Sequence, residues 1–162
     1  MKLILAADEK WGIGRDGGLL CSIPGDLQYF RNRTKEKTVI MGRVTLESLP
    51  GSKGLPKRRN IVITRKPDYV AENAEVVGSI EEAMDLAGTG DDVMIIGGSE
   101  IYKQFLPYCD TCYITKIYGD FNADRFFVDL DQDPDFQCIP LEDEIEENGI
   151  RYRFFEYRRK GK

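Results

Sequence analysis

Residues 93–106 have the sequence Val-Met-Ile-Ile-Gly-Gly-Ser-Glu-Ile-Tyr-Lys-Gln-Phe-Leu. Val93–Ile96 is a continuous apolar run, which predicts a strand buried on both faces. Two glycines follow, and the apolar residues after them recur with the three- and four-residue spacing of one helix face. Such a strand–turn–helix unit is typical of a parallel sheet that helices cover on both faces.

The same alternation extends in both directions from this unit. Further strands are predicted at Leu3–Ala7, Val39–Met41, Ile61–Ile63 and Glu75–Val77, and helices near 27–30, 45–49 and 79–87. In the C-terminal third, the strand-like segments Thr111–Tyr118 and Tyr152–Tyr157 have no helix between them, which favours antiparallel pairing. We therefore predict one α/β domain over residues 1–162, with a mostly parallel sheet and an antiparallel C-terminal strand.

Charge and composition exclude several classes of function. The 162 residues carry a net charge of −5 and contain no histidine. An acidic chain is a poor ligand for nucleic-acid phosphates, so we expect no nucleic-acid partner. Without imidazole there is no Ser-His or Cys-His nucleophile, no histidine-ligated zinc and no histidine base. Carboxylates, tyrosines, lysines, cysteines or bound water must therefore carry any acid–base chemistry.

The predicted location is the cytoplasm. No apolar run approaches the ~20 residues of a membrane span, and the N-terminal apolar run is too short for a signal peptide. Four cysteines in 162 residues are too few for a disulfide scaffold. Cys109 and Cys112 form a C-x-x-C pair without a partner pair, for which we predict a structural role. Asp129, Asp131 and Asp133 do not form an EF-hand, because prolines replace its required glycine and glutamate.

Three turns that follow predicted strands are candidates for ligand binding. They are Gly42-Arg43, Thr64-Arg65 and Gly97-Gly98-Ser99. Such turns meet at one crevice of a parallel sheet, and guanidinium groups there favour a phosphorylated ligand. Solvated surface arginines and a tight turn capped by Ser99 are the alternative interpretation.

Two charged residues have both a structural and a functional interpretation. Asp26 lies at the start of a predicted helix, where free N–H groups stabilise a carboxylate. A partly buried carboxylate there can also receive two parallel hydrogen bonds from an amidine-like ligand edge. Arg58 either binds a ligand carboxylate or is solvated in a basic loop.

The segment Gly12-Ile13-Gly14-Arg15-Asp16-Gly17 matches the dinucleotide fingerprint G-x-G-x-x-G. That fingerprint requires a helix after it, whereas Gly18–Pro24 is not helical in character. We interpret the segment as a flexible, glycine-rich loop that can act as a lid.

Considered together, these segments resemble the dihydrofolate reductase family over essentially the whole chain. The resemblance rests on their order and spacing in the sequence. The segments are Gly12–Gly14, Ile23–Leu27 with Phe30, Val39–Arg43 with Thr45, Leu55–Pro56, Arg58–Arg65, Ile95–Tyr102, Phe105–Pro107 and Tyr113–Thr115.

The resemblance implies an eight-stranded mixed sheet flanked by four helices. It also implies reduction of 7,8-dihydrofolate to tetrahydrofolate with NADPH. In this scheme Asp26 binds the pterin 2-amino group and N3, and its negative field favours protonation of N5 through water. Hydride passes from nicotinamide C4 to pterin C6, so no histidine is required.

The resemblance also implies the binding residues. The folate pocket would be lined by Ile4, Ala6, Leu27, Phe30, Leu49 and Ile96, with Thr115 bonded to Asp26 and Arg58 holding the glutamate α-carboxylate. The cofactor would contact Ala7, Ile13, Gly14, Leu19, Gly42, Arg43, Val44, Thr45, Thr64, Arg65, Gly97, Gly98, Ser99, Glu100, Ile101, Tyr102 and Gln104. Arg43 and Arg65 would lie near the adenosine 2′-phosphate. We expect a monomer.

One position departs from the family pattern. The family usually has a tryptophan five residues before the carboxylate, and this chain has Cys21. We hypothesise that Cys21 leaves a larger and wetter pocket. Two alternatives remain: another NADPH-dependent reductase of the same fold, such as the reductase module of riboflavin synthesis, and a folate- or pterin-binding protein of low turnover.

Overall fold

The computed structural model describes residues 1–161, so the last residue of the predicted domain, Lys162, lies outside it. The helices are α1 (Pro24–Thr34), α2 (Arg43–Ser48), α3 (Ile80–Ala87) and α4 (Ser99–Phe105). The strands are β1 (Lys2–Ala7), β2 (Gly12–Gly14), β3 (Thr38–Gly42), β4 (Arg59–Ile63), β5 (Glu75–Val77), β6 (Val93–Gly97), β7 (Thr111–Ile117), β8 (Arg125–Phe126), β9 (Phe136–Pro140), β10 (Ile145–Glu147) and β11 (Ile150–Arg159). Short 3₁₀ turns occur at Pro50–Ser52, Leu106–Tyr108 and Leu130–Gln132.

The main sheet has the strand order β10-β11-β7-β1-β6-β3-β4-β5. Strands β5, β4, β3, β6, β1 and β7 are parallel, and β11 is antiparallel to β7. Strand β9 pairs with the C-terminal half of β11 and β10 with its N-terminal end. The two therefore share one edge position, and the sheet has eight positions. This confirms the predicted mixed sheet with four helices and an antiparallel C-terminal strand.

The period of two along the strands separates two cores. In β1, Leu3 and Leu5 face the layer of α3 and α4, whereas Ile4 and Ala6 face the layer of α1. The central strands are apolar throughout because both of their faces are covered. Asp26 and Thr115 meet on the α1 side of the sheet.

Two helices show how well the local sequence fixes element ends. Ser79 Oγ accepts a hydrogen bond from Glu82 N (3.1 Å), and Gly88 ends α3 with φ of 79°. The predicted bounds of this helix are thereby confirmed. The second helix was predicted near Thr45–Leu49 but occupies Arg43–Ser48, since β3 passes into it directly at Gly42.

The glycine-rich segment is only partly a loop. Gly12–Gly14 forms β2 and pairs with β8, a ribbon that the sequence analysis did not predict. Its partner lies more than 100 residues away, so no local pattern signals it. Within residues 1–161, no helix combines the length and apolar character needed to cross a membrane.

Candidate active site

Asp26 is the third residue of α1, and its side chain is tied to the sheet. Thr115 Oγ1 on β7 donates a hydrogen bond to Asp26 Oδ1 (2.7 Å), and Oδ2 has no partner among residues 1–161. Burial raises the pKa of Asp26, and the Thr115 hydrogen bond offsets part of that rise. The site therefore holds a half-buried carboxylate with one oxygen free to accept a ligand N–H.

The predicted folate-pocket residues lie around this carboxylate on the α1 side of the sheet. Ile4 and Ile96 are buried in one apolar cluster against which Phe30 and Leu49 pack, and Ala6 borders the neighbouring cluster. Leu27 follows Asp26 on α1 and is partly exposed. The structure thus places four of the six residues around one apolar cluster and Ala6 on the next, and their contact with a ligand stays a prediction.

Arg58 is anchored at the opposite end of α1. Its Nε donates to Thr34 Oγ1 (2.9 Å) and its Nη1 to Pro56 O (2.7 Å), while Nη2 has no partner among residues 1–161. Thr34 lies eight positions after Asp26, which is about 12 Å along a helix axis. A carboxylate and a guanidinium therefore mark the two ends of one helix, as a ligand with an amidine edge and a distal carboxylate requires.

A cleft of about 820 Å³ opens at the carboxyl ends of β3, β4 and β6. Of the seventeen predicted cofactor residues, fifteen line it. These fifteen are Ile13, Gly14, Leu19, Gly42, Arg43, Val44, Thr45, Thr64, Arg65, Gly97, Gly98, Ser99, Glu100, Ile101 and Tyr102. Ala7 instead lines a separate crevice of about 180 Å³, and Gln104 is exposed on α4 outside the cleft lining. The convergence of three strand-end turns on one crevice is thus observed.

The glycine turn after β6 lies tightly against α4. Gly97 has φ of 126°, and a Cβ added there would be 3.3 Å from the Tyr102 ring. The Tyr102 hydroxyl donates to the carbonyl of Ile4 (2.7 Å), which fixes the ring as a wall of the cleft. Gly98 is the N-cap of α4 and Ser99 is its first residue, so the interpretation of Ser99 as a cap is wrong.

Besides the predicted Arg43 and Arg65, the cleft is lined by cations that were not predicted. Arg43 forms an ion pair with Glu47 (2.8 Å), whereas Arg65 is exposed without an ion-pair partner in the described chain. Lys66 and Arg125 line the same cleft and were not predicted. Lys66 could have been found because it directly follows Arg65. Arg125 reaches the cleft because β8 pairs with β2, where Gly14 is the register partner of Arg125.

A buried carboxylate organises the glycine-rich segment that lines one side of the cleft. Asp8 Oδ1 accepts hydrogen bonds from Lys10 N (2.9 Å) and Gly12 N (2.8 Å), and Asp8 Oδ2 accepts one from Phe121 N (3.2 Å). Asp16 N also donates to Asp124 Oδ2 (2.9 Å). The glycine-rich segment is therefore joined to residues 121–126 at both of its ends, which the sequence did not indicate.

Cys21 lies near Asp26 on the same side of the sheet. The residue is half-buried and packs against the cluster of Ile23, Ile117, Tyr152 and Phe154. Burial raises the pKa of its thiol, with a further contribution from the charge of Asp26. The thiol is therefore protonated at neutral pH and occupies a position beside the carboxylate.

Ile96 joins the two halves of the site. It packs in the apolar cluster beside α1 and also lines the cationic cleft. The fold and the site together define an α/β protein in which a crevice suited to a phosphorylated nucleotide adjoins a pocket with one half-buried carboxylate.

Comparison with known proteins gives the family. The family model described as dihydrofolate reductase matches residues 1–159. The dihydrofolate reductase of Staphylococcus haemolyticus is 38% identical over 161 residues, covering 98% of this chain and 95% of that protein. The enzyme of Bacillus subtilis is 35% identical over 162 residues, covering 99% and 95%. The chain belongs to the dihydrofolate reductase family.

A solved structure agrees with this assignment. Dihydrofolate reductase from Enterococcus faecalis, complexed with NADP(H) and RAB-propyl, superposes with a TM-score of 0.85 at 35% identity. The match covers 98% of this chain and 95% of that one.

Proposed function

We propose that this protein reduces 7,8-dihydrofolate to 5,6,7,8-tetrahydrofolate with NADPH. The observation that carries the proposal is the half-buried Asp26, held by Thr115 on the side of the sheet where Ile96 packs and also lines the cationic cleft. Membership of the dihydrofolate reductase family supports the same reaction.

The cleft fits a phosphorylated dinucleotide. Its volume of about 820 Å³ lies within the range of cofactor sites, and Arg43, Arg65, Lys66 and Arg125 supply positive charge. Gly42 lets the end of β3 pack closely against α4, since a Cβ there would be 3.2 Å from Ile101 Cγ1. When bound, NADPH supplies the hydride. Arg43 and Arg65 would hold the 2′-phosphate, and the turn Gly97–Ser99 would lie against the pyrophosphate.

Asp26 would orient the substrate and favour its protonation. The free Oδ2 and the remaining lone pair on Oδ1 can accept two N–H groups from the 2-amino group and N3 of a pterin. The carboxylate charge, in a partly desolvated setting, stabilises positive charge that develops on the ring. As the resemblance to the family implies, the proton on N5 would arrive through water.

Arg58 and the glycine-rich segment would complete binding. The unpartnered Nη2 of Arg58 can bind the α-carboxylate of the substrate tail, since the other two nitrogens are already anchored. The segment held by Asp8 would cover the cleft and exclude bulk water, which strengthens the electrostatic contacts inside.

The test is steady-state NADPH oxidation by purified protein, with and without dihydrofolate, for the wild type and Asp26→Asn. We expect dihydrofolate-dependent oxidation that falls by about 100-fold or more in the variant, the scale of a lost acid–base group. Asp85→Asn, an exposed carboxylate on α3, is the matched control. Saturable folate binding without turnover would favour the pterin-binding alternative. Turnover of a different carbonyl or imine substrate would favour the related reductase.

We further propose that the protein acts as a cytoplasmic monomer without a nucleic-acid partner. All four cysteines are free thiols, which suits a reducing compartment. The net charge of −5 disfavours binding to phosphate backbones. Light scattering after gel filtration should give a mass near 18.5 kDa, and twice that mass would contradict the monomer.

A further inference from the structure

Helix α1, which presents Asp26, begins without a cap of its own. The N-cap residue is Ile23, which has no side-chain acceptor, and Pro24 at the next position has no N–H. The first free backbone donor is therefore the N–H of Gly25, directly before Asp26. A helix start with no local acceptor leaves this group to be satisfied from elsewhere.

The acceptor comes from the far end of the chain. Gly25 N donates to Glu147 Oε1 (3.0 Å), and Glu147 is the last residue of β10. A carboxylate near a helix N-terminus also interacts favourably with the helix dipole. Glu147 thus supplies, across 122 positions of sequence, the cap that the residues before α1 lack.

A second donor fixes Glu147 in this position. The hydroxyl of Tyr152, a residue that is only 2% exposed, donates to the same Oε1 (3.1 Å). Burial, together with the neighbouring Glu147, raises the pKa of Tyr152 to about 12, so the hydroxyl keeps the proton that it donates. One carboxylate oxygen therefore joins the helix start to the buried end of β11.

A side chain at position 25 would have to displace these groups. A Cβ at this position would lie 2.3 Å from the Tyr152 hydroxyl oxygen and 3.0 Å from Glu147 Oε1. The backbone of α1 consequently contacts the β10–β11 hairpin without an intervening side chain.

The same three strands hold both sides of Asp26. Thr115 on β7 pairs with Phe154 on β11, and Tyr152 on β11 pairs with Ile145 on β10. Thr115 binds the Asp26 carboxylate, while the hairpin binds the peptide that precedes it. The backbone just before Asp26 and the Asp26 side chain are therefore both held by the adjoining strands β7, β10 and β11.

We propose that Glu147 is a positioning residue for the reaction: it caps α1 from the β10–β11 hairpin and thereby sets the place of the Asp26 carboxylate in the substrate pocket. This inference rests on the proposed function. It assigns the hairpin a role in substrate affinity, although the side chain of Glu147 itself touches neither half of the site.

The experiment compares Glu147→Ala with Glu147→Gln in steady-state kinetics. Both variants remove the charge, but only alanine removes the acceptor, so their difference isolates the cap. We expect Glu147→Ala to raise KM for dihydrofolate by about tenfold and to leave KM for NADPH unchanged, because Asp26 faces only the substrate. Glu147→Gln should recover most of that loss. The matched control is Glu146→Ala, the exposed neighbour on the same strand.

Each other outcome contradicts either the inference or the proposed function. Equal KM values for the alanine and glutamine variants, or a lower melting temperature with unchanged kinetics, would leave Glu147 a merely structural cap and overturn the inference. If Glu147→Ala does not fold, Tyr152→Phe removes the second donor and should raise the same KM. An unchanged KM in that variant would also overturn the inference. Absence of dihydrofolate turnover by the wild type would instead refute the proposed function.

Discussion

The Asp26 carboxyl has to be ionised for the substrate, yet its burial in the folded protein opposes ionisation. The substrate needs a negative charge, whereas burial raises the pKa of the carboxyl and so opposes ionisation. The hydrogen bond from Thr115 Oγ1 (2.7 Å) offsets part of this cost. We therefore expect the residue to reduce stability while it supports activity.

Asp26→Asn should show this trade-off in the pH dependence of folding. A carboxyl whose pKa is raised on folding contributes stability below its unfolded pKa and loses that contribution as pH rises through its folded pKa. At pH 7 the free energy of unfolding of the asparagine variant should therefore be about 1 kcal/mol higher than that of the wild type, a typical gain when a destabilising functional residue is replaced. At pH 3 this advantage should vanish. Urea titrations at both pH values, with Asp85→Asn as control, measure it; an equal difference at both would contradict the prediction.

Cys21 occupies the position where the family usually has tryptophan. The thiol is half-buried near Asp26 and is much smaller than an indole ring. We expect Cys21→Trp to lower KM for dihydrofolate by about tenfold, which is 1.4 kcal/mol, because the ring would exclude water from the pocket. Cys138→Trp, at an exposed free cysteine on β9, is the control. If both KM and kcat are unchanged by Cys21→Trp, the idea of a larger, wetter pocket is wrong.

At the level of the elements, the parallel strands bring the cationic turns together. The turns after β3, β4 and β6 all leave the same edge of the sheet and line one cleft. Their side chains differ in freedom, because Arg43 is paired with Glu47 while Arg65 has no ion-pair partner among residues 1–161. Arg65 is thus the better-placed residue to pair with a phosphate.

Arg65→Gln should change the preference between the two nicotinamide cofactors. We expect kcat/KM for NADPH to fall by about tenfold or more and that for NADH to change little, since only NADPH carries the 2′-phosphate. The control Lys160→Gln removes an exposed cation at the opposite edge of the sheet, where the antiparallel β11 ends. Equal kcat/KM for NADPH and NADH in the wild type would contradict the assigned role of Arg43 and Arg65.

For the whole molecule, β7 is the strand on which both halves of the sheet depend. Its neighbours are the parallel β1 and the antiparallel β11, and Ile114 pairs with Leu5 on one side and Phe155 on the other. Ile114 has no exposed surface. A loss of packing here should affect the parallel and the antiparallel parts of the sheet together.

Ile114→Ala should lower the free energy of unfolding by about 2–5 kcal/mol, as large-to-small changes in a core do. The single tryptophan, Trp11, is buried and can report unfolding alongside circular dichroism, and the two signals should change in one transition. Val70→Ala, at a valine that is 88% exposed, should cost no more than about 0.5 kcal/mol. A loss under 1 kcal/mol in Ile114→Ala would contradict the central place of β7.

Local sequence is sufficient to predict the elements and the turns that carry charge. Apolar runs such as Val93–Ile96 and the cap at Ser79 act over a few residues, so their structure follows from local spacing. The positions of Asp26, Arg43 and Arg65 at element ends were predictable for the same reason. The resemblance to a family added the pairing of Thr115 with Asp26, which local spacing does not encode.

Which distant groups complete the site depends on how the whole chain packs. The contacts of Asp8 with Phe121, of Gly14 with Arg125 and of Gly25 with Glu147 each join segments more than 100 residues apart. Such contacts depend on strand order and register, which the whole packed sheet fixes and no short segment contains. The chain therefore specifies its reactive groups locally, whereas their positions relative to one another exist only in the folded protein.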